Sequence, residues 1–143
     1  MADAGLAALA AFAEELGRLG EVIEQTAKEA APKLAARVAE GFAGGFAPSS
    51  GRAWAPLSPS TLSRGRSAPP LTDTGALSST MRSLPGATQI VMSATAPYSS
   101  FHQFGTKHMP ARPILPEGDE LPETWRQDLE DACTAALERK LGK

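Results

Sequence analysis

The sequence holds one cysteine, Cys133, only two histidines and 6% aromatics, and it has no long apolar run. A lone cysteine excludes an internal disulfide and fits a reducing compartment. A membrane-crossing helix needs roughly 20 predominantly apolar residues in succession, and no stretch approaches this. Asp3, with no early Lys or Arg, argues against a signal peptide. The histidines, His102 and His108, stand six apart, with no Cys, Asp or Glu between positions 98 and 116. A metal site wants three or four convergent ligands, so this pair falls short. No G-x-S-x-G elbow is present, and Cys133 lies among alanines in a predicted helix, so no activated nucleophile stands out. Gly41, Gly44 and Gly45 lack the following Lys-Ser/Thr and the preceding strand of a phosphate loop. The adjacent acids Glu14–Glu15 and Glu130–Asp131 read as solvated helix faces. The expectation is a protein that is not an enzyme and that uses no cofactor or metal.

What is present suits one domain spanning residues 1–143: 42% hydrophobic and 21% charged residues, abundant alanine, 13 Gly and 12 Pro. The net charge of −2 is unevenly spread. Residues 1–50 carry seven acids against four bases, and 114–143 carry eight against four. Residues 51–113 carry six bases (Arg52, Arg64, Arg66, Arg82, Lys107, Arg112) against Asp73 alone. A basic middle between acidic ends is compatible with nucleic-acid binding or with complementary faces that meet in an assembly. The bases are dispersed and lie apart from aromatics that could stack on nucleotides, which favours assembly.

Leu9, Phe12, Leu16, Leu19 and Ile23 alternate spacings of 3 and 4, the mark of an apolar helix stripe that Ala27, Ala30, Leu34 and Val38 continue. The predicted helical region is 1–43, ended by Gly44 and Gly45, with a kink or two abutting helices at Pro32. Residues 46–70 hold five prolines, two glycines and six serines, which predicts an extended loop without regular elements. Trp54 and Leu57, an apolar pair in this polar stretch, are expected to anchor it, with Trp54 substantially buried. Residues 71–116 form the expected α/β core. Thr72, Asp73 or Thr74 caps a short central helix whose buried side is Leu77, Met81 and Leu84. Pro85-Gly86 makes a turn, and 88–94 alternates as a half-buried strand with Ile90, Met92 and Ala94 inward. A last helix over 121–141 follows Pro122 and carries Trp125, Leu129, Cys133, Ala136 and Leu137. The fold class is α+β: long N-terminal helix, short central helix, small antiparallel sheet, C-terminal helix and two long proline-rich loops.

The second loop, 105–120, follows the unusual segment YSSFHQFGTKHMPARPIL at 98–115. Tyr98, Phe101 and Phe104 recur every third residue and would pack inward if that turn is helical. His102 and Gln103 are then placed to hydrogen-bond loop backbone. Gly105 can leave the turn with positive φ. Pro110 and Pro113 stiffen the chain on either side of Arg112, whose planar fork suits a carboxylate or carbonyls. This is a shaped, semi-rigid arm more than a reaction centre. Met109, Ile114 and Leu115 are its only large apolar groups, and they are expected to bury against another subunit with Arg112 paired there.

Four blocks in fixed order carry a resemblance: W-x-P-L-S-P-x-T at 54–61, P-L-x-x-T-G-x-L at 70–77, P-Y-x-x-F-H-Q-F-G-T at 97–106 and M-P-A-R-P at 109–113. Together they resemble the virion-morphogenesis, or tail-completion, proteins of tailed bacteriophages. Ile114-Leu115 stands where that family usually has an aromatic. The resemblance implies a structural virion protein that completes the head-proximal end of the tail, or joins tail to head, as a homo-oligomeric ring in the neck. It implies six copies, contact with tail-terminator and head-completion or connector proteins, and DNA passing through the bore. Assembly would take place in the host cytoplasm, without a membrane. It also implies that Trp54, Thr61, Leu71, Gly75 and Leu77 shape the fold, and that Tyr98, His102, Gln103, Gly105, Pro110, Arg112 and Pro113 fix the arm.

Overall fold

The computed structural model describes residues 2–65, 70–71, 75–117 and 121–140. Helix α1 runs over Ala2–Gly44. Its many alanines favour helix, and the chain passes through Pro32 without leaving it. Of the two expected outcomes at Pro32, a kink or two abutting helices, the second is excluded: α1 is one element. Gly45, at φ 71°, takes the left-handed turn that stops it, and the Phe46 amide donates to the Gly41 carbonyl at 3.0 Å. That is the six-to-one bond of a Schellman ending.

The segment after α1 is not wholly irregular. Phe46 pairs with Ala53 in an isolated bridge, and a five-residue helix, α2 (Pro59–Ser63), follows. Ser58 caps it, its hydroxyl accepting from the Thr61 amide and lying 2.8 Å from the Thr61 hydroxyl. Proline at the first helical position and serine at the cap outweigh the loop-like composition.

The central helix, α3, spans only Ala76–Ser79 and starts from Gly75 at φ 72°. The expected caps Thr72, Asp73 and Thr74 lie outside the described residues. Met81 and Leu84, expected on its buried side, belong instead to strand β1 (Met81–Pro85). β1 pairs antiparallel with β2 (Ile90–Ala94), with Met81 opposite Ala94 and Leu84 opposite Val91. Leu77, Met81 and Leu84 imitate helical spacing, but the strand partner supplies hydrogen bonds that a longer helix would forfeit. The hairpin lies on α1, where the Ser83 hydroxyl donates to the Ala31 carbonyl at 2.8 Å.

A six-residue helix, α4 (Ser99–Phe104), precedes the arm, and α5 (Glu123–Lys140) closes the chain. α5 packs along α1 through Trp125, Ala132 and Ala136, all buried. Arg37 grips Asp128 with two bonds of 2.9 and 3.2 Å, and Arg139 and Lys140 pair with Glu29 and Glu21. Leu34, Val38, Phe42, Trp54, Leu77, Ile114 and Trp125 share the core.

The α1 stripe is helical, as its spacing predicts, but its outer part is not covered. Every residue from Asp3 to Glu21 is exposed, and burial begins at Val22. Among the described residues no helix is long and apolar enough to cross a membrane.

Candidate assembly site

The features singled out around 98–115 converge with the 46–65 segment in one corner. α4 ends at Gly105, at φ 76°. A side chain there would strain the backbone, and its Cβ would stand 2.8 Å from the Ala111 amide nitrogen. The chain then turns tightly: the Thr106 amide donates to the Met109 carbonyl at 3.0 Å, and the Met109 amide returns a 3.3 Å bond to Thr106. The Arg112 amide donates to the His102 carbonyl at 2.7 Å, which lays the arm back along α4.

Gln103 holds that return. Its side-chain oxygen accepts from the Ile114 and Leu115 amides at 2.8 and 3.0 Å, while its nitrogen donates to the Leu115 carbonyl at 2.8 Å. An amide side chain is suited to this because it offers donor and acceptor together. Trp54 and Arg112 then pin the arm to the first loop. The Trp54 indole donates to the Pro113 carbonyl at 2.8 Å, and its ring meets Phe42 edge-on at 5.6 Å. Arg112 is 7% exposed and forks onto the Ala55 and Pro56 carbonyls at 2.8 and 3.0 Å. Burial lowers the guanidinium's pKa from its ordinary value; the two carbonyls solvate a charge that stays in place.

His102 sits half-buried against this cation, edge-on to Tyr98 at 5.7 Å. Its Nδ1 is buried and has no hydrogen-bond partner among the described residues. Burial, and then the Arg112 charge, lowers its pKa below 6.5. A neutral imidazole suits this place; a protonated one does not.

The structure corrects two expectations here. Tyr98, Phe101 and Phe104 do not pack inward; they are 39, 54 and 70% exposed. The inner side of α4 is taken by His102 and Gln103, which face the returning arm, so the aromatic row is turned to the outside. Nor is the arm free to dock elsewhere with all its apolar groups. Ile114, 2% exposed, belongs to the chain's own core, Leu115 packs against that core, and Met109 is half-buried. Arg112 is spent on carbonyls of its own chain.

The other residues named from sequence are placed as follows. Leu77 is buried; Leu57, Thr61, Leu71, Gly75 and Pro113 are half-buried; Pro110 is exposed. Leu71 packs near the core with a positive φ of 67°, unusual for a branched side chain and not signalled by its neighbours. A groove of about 480 Å³ opens beside the aromatic row, lined by Met81, Gln103, Phe104, Ile114 and Leu115 among others. Of the six bases of 51–113, Arg112 is buried and Arg66 lies outside the described residues. Arg82 is turned onto its own backbone at Ser79 and Met81.

The corner thus offers a frame held by Trp54, Gln103 and Arg112 and an outward aromatic row. Neither curated proteins nor solved structures yield a match to this chain. The model of the phage virion morphogenesis family, however, matches residues 5–138, which include the whole corner and all but the outer ends of the two long helices. The chain belongs to the phage virion morphogenesis family.

Proposed function

We propose that the protein is a structural, non-enzymatic component of the phage neck, completing the head-proximal end of the tail or joining tail to head. It acts as a homo-oligomeric ring of six copies, matched to tail symmetry, between the tail-terminator and head-completion or connector proteins, with DNA passing through the bore. Family membership supports a role in virion assembly. The observation that carries the finer reading is the row Tyr98, Phe101 and Phe104, held outward on a helix whose other side is clamped by Gln103 and Arg112. Aromatics that are pre-ordered and exposed are suited to binding, because little freedom is lost on contact and much apolar area is covered. The test is deletion of the gene followed by electron microscopy of the lysate. DNA-filled heads beside unattached tails are expected. Complete particles would sink the joining role.

A further inference from the structure

The outer part of α1 has no place in the corner just described, yet it carries a long uncovered apolar stripe. Leu6, Leu9, Phe12, Leu16, Leu19 and Ile23 are 49 to 65% exposed, and every residue from Asp3 to Glu21 is open. From Leu9 to Ile23 the steps alternate between three and four residues. Sustained in this way, the alternation draws the narrow seam of a coiled coil, not the broader face of a helix lying on a core. Small residues flank the seam: Ala8, Ala13 and Gly20 let a second helix approach closely.

The seat has a definite inner end. Burial begins at Val22, and Ala27, Ala30 and Leu34, further along the same stripe, are at most 5% exposed. α5 and β2 flank the stripe from Ile23 inward, where Ile23, Ile90, Met92, Leu129 and Cys133 line one groove. A helix laid on the stripe therefore reaches inward only as far as Thr26.

Charge narrows the occupant. The segment carries Asp3, Glu14, Glu15 and Glu21 against Arg18, which disfavours DNA and anionic membranes. Glu14 and Glu21 lie on the side of the helix opposite the seam. A second copy of the same segment fits when it runs antiparallel. With a two-fold axis level with Glu14, Leu9 faces Leu19 of the second copy and Phe12 faces its Leu16. Ile23 meets the gap at Gly5, where a Cβ would find nothing within 4 Å. In this register Ala2 of the second copy stops level with Thr26. A shift of one heptad inward would drive its first turn against the buried Ala30; one heptad outward would leave Ile23 facing nothing. A parallel copy is blocked by bulk, because its own α5 and hairpin would stand level with those of the first, on the side where the helices meet. Glu15 nears its own copy across the axis, and Arg18, 3.9 Å from it, offsets that charge.

The area suffices. A large apolar residue free of neighbours exposes roughly 200 Å², so six at these exposures leave roughly 600 Å² open per copy. Covering both stripes removes roughly 1,200 Å² from water, the lower bound for a stable specific interface.

We propose that two copies of this chain pair antiparallel through residues 3–26 of α1, about an axis level with Glu14, with their bodies at opposite ends. The contact is two-fold and self-complementary, so it is distinct from the contacts that close a ring and stands whether or not the ring reading holds.

The test uses the full chain with Cys133→Ser, so that introduced cysteines are unique. Leu9→Cys and Leu19→Cys are made separately, one of them tagged, and oxidised mildly alone and mixed. The mixture should give a disulfide-linked pair of one tagged and one untagged chain. Neither variant alone should link, because like positions lie about 15 Å apart in this arrangement. Phe12→Glu/Leu16→Glu, added to both, should cut the mixed product at least about tenfold. The melting point of the dilute protein should not change, since both residues are exposed in the single chain. Linkage of either variant alone as efficient as in the mixture, or no mixed linkage, overturns the proposal. So does mixed linkage that survives the double substitution. A neck phenotype lost or kept on deletion bears on the ring alone.

Discussion

Replacing Arg112 with alanine removes two charge-assisted hydrogen bonds, to the Ala55 and Pro56 carbonyls, and the packing of a buried stem. Each such bond contributes about 1.5–3 kcal/mol when water cannot substitute. Ala55 is only half-buried and Pro56 is exposed, so water will resolvate the freed carbonyls in part. The expected loss is therefore near the lower end of the sum, about 3 kcal/mol. For a chain of this size that lowers the melting point by about 10 °C. Arg112→Lys keeps the charge but not the planar fork and should recover about half of the loss. Thermal unfolding followed by circular dichroism measures both. Suppose instead that Arg112→Ala melts like the parent while assembly weakens. The guanidinium would then be acting between subunits, and its assignment as an internal pin would be wrong.

Trp54→Ala should cost about 3–5 kcal/mol, because the ring is 6% exposed, meets Phe42 and donates to Pro113; denaturant unfolding at an unchanged midpoint would refute this. His102 gives a pH signature. Its folded pKa is depressed below 6.5 by burial and by Arg112, so the unfolded chain takes up the proton first on acidification. The stability this group contributes is complete above pH 6.5 and declines as pH falls. Asp128, held below its ordinary value mainly by the Arg37 hydrogen bond, acts in the same sense but only under about pH 4. Melting points between pH 7.5 and 5 should therefore fall in the parent and much less in His102→Gln; equal slopes would count against the orphaned imidazole. Phe101→Ala and Phe104→Ala should stay within about 0.5 kcal/mol of the parent yet lower particle yield in a complementation assay. Normal yields from the pair combined would remove the aromatic row from the assembly surface.

Much of this architecture is legible without coordinates, though unevenly. Alternating spacings of 3 and 4 mark α1 as helix, and the small residues within it agree. The same pattern says nothing about what covers the stripe, because periodicity records two unlike faces and not the partner of either. Hence Leu9 to Leu19 read like core residues and stand in the open. Strand β2 announces itself by alternation over Ile90–Ala94. β1 does not, since Leu77, Met81 and Leu84 fit a helix and only the partner strand decides otherwise. In the corner, the fork of Arg112 and the two-sided amide of Gln103 point to carbonyl and backbone partners by chemistry alone. Which carbonyls is a question of tertiary closure: Ala55 lies 57 residues away along the chain. The outward turn of Tyr98, Phe101 and Phe104 was hidden for a similar reason. A six-residue helix has one inner side, and the return path of the arm gives it to His102 and Gln103.

The pins between Trp54 and Pro113, 59 residues apart, also impose an order on biogenesis. A growing chain exposes α1 first, with Val38 and Phe42 lacking the core partners that Trp54, Ile114 and Trp125 supply. Ile114 and the arm are synthesised some 60 residues after Trp54, and Trp125 later still. Closing so large a loop carries an entropic cost before any contact offsets it. Until those partners are made, the nascent protein carries one uncovered apolar stripe along α1, and in that interval chaperone capture and premature association compete for it.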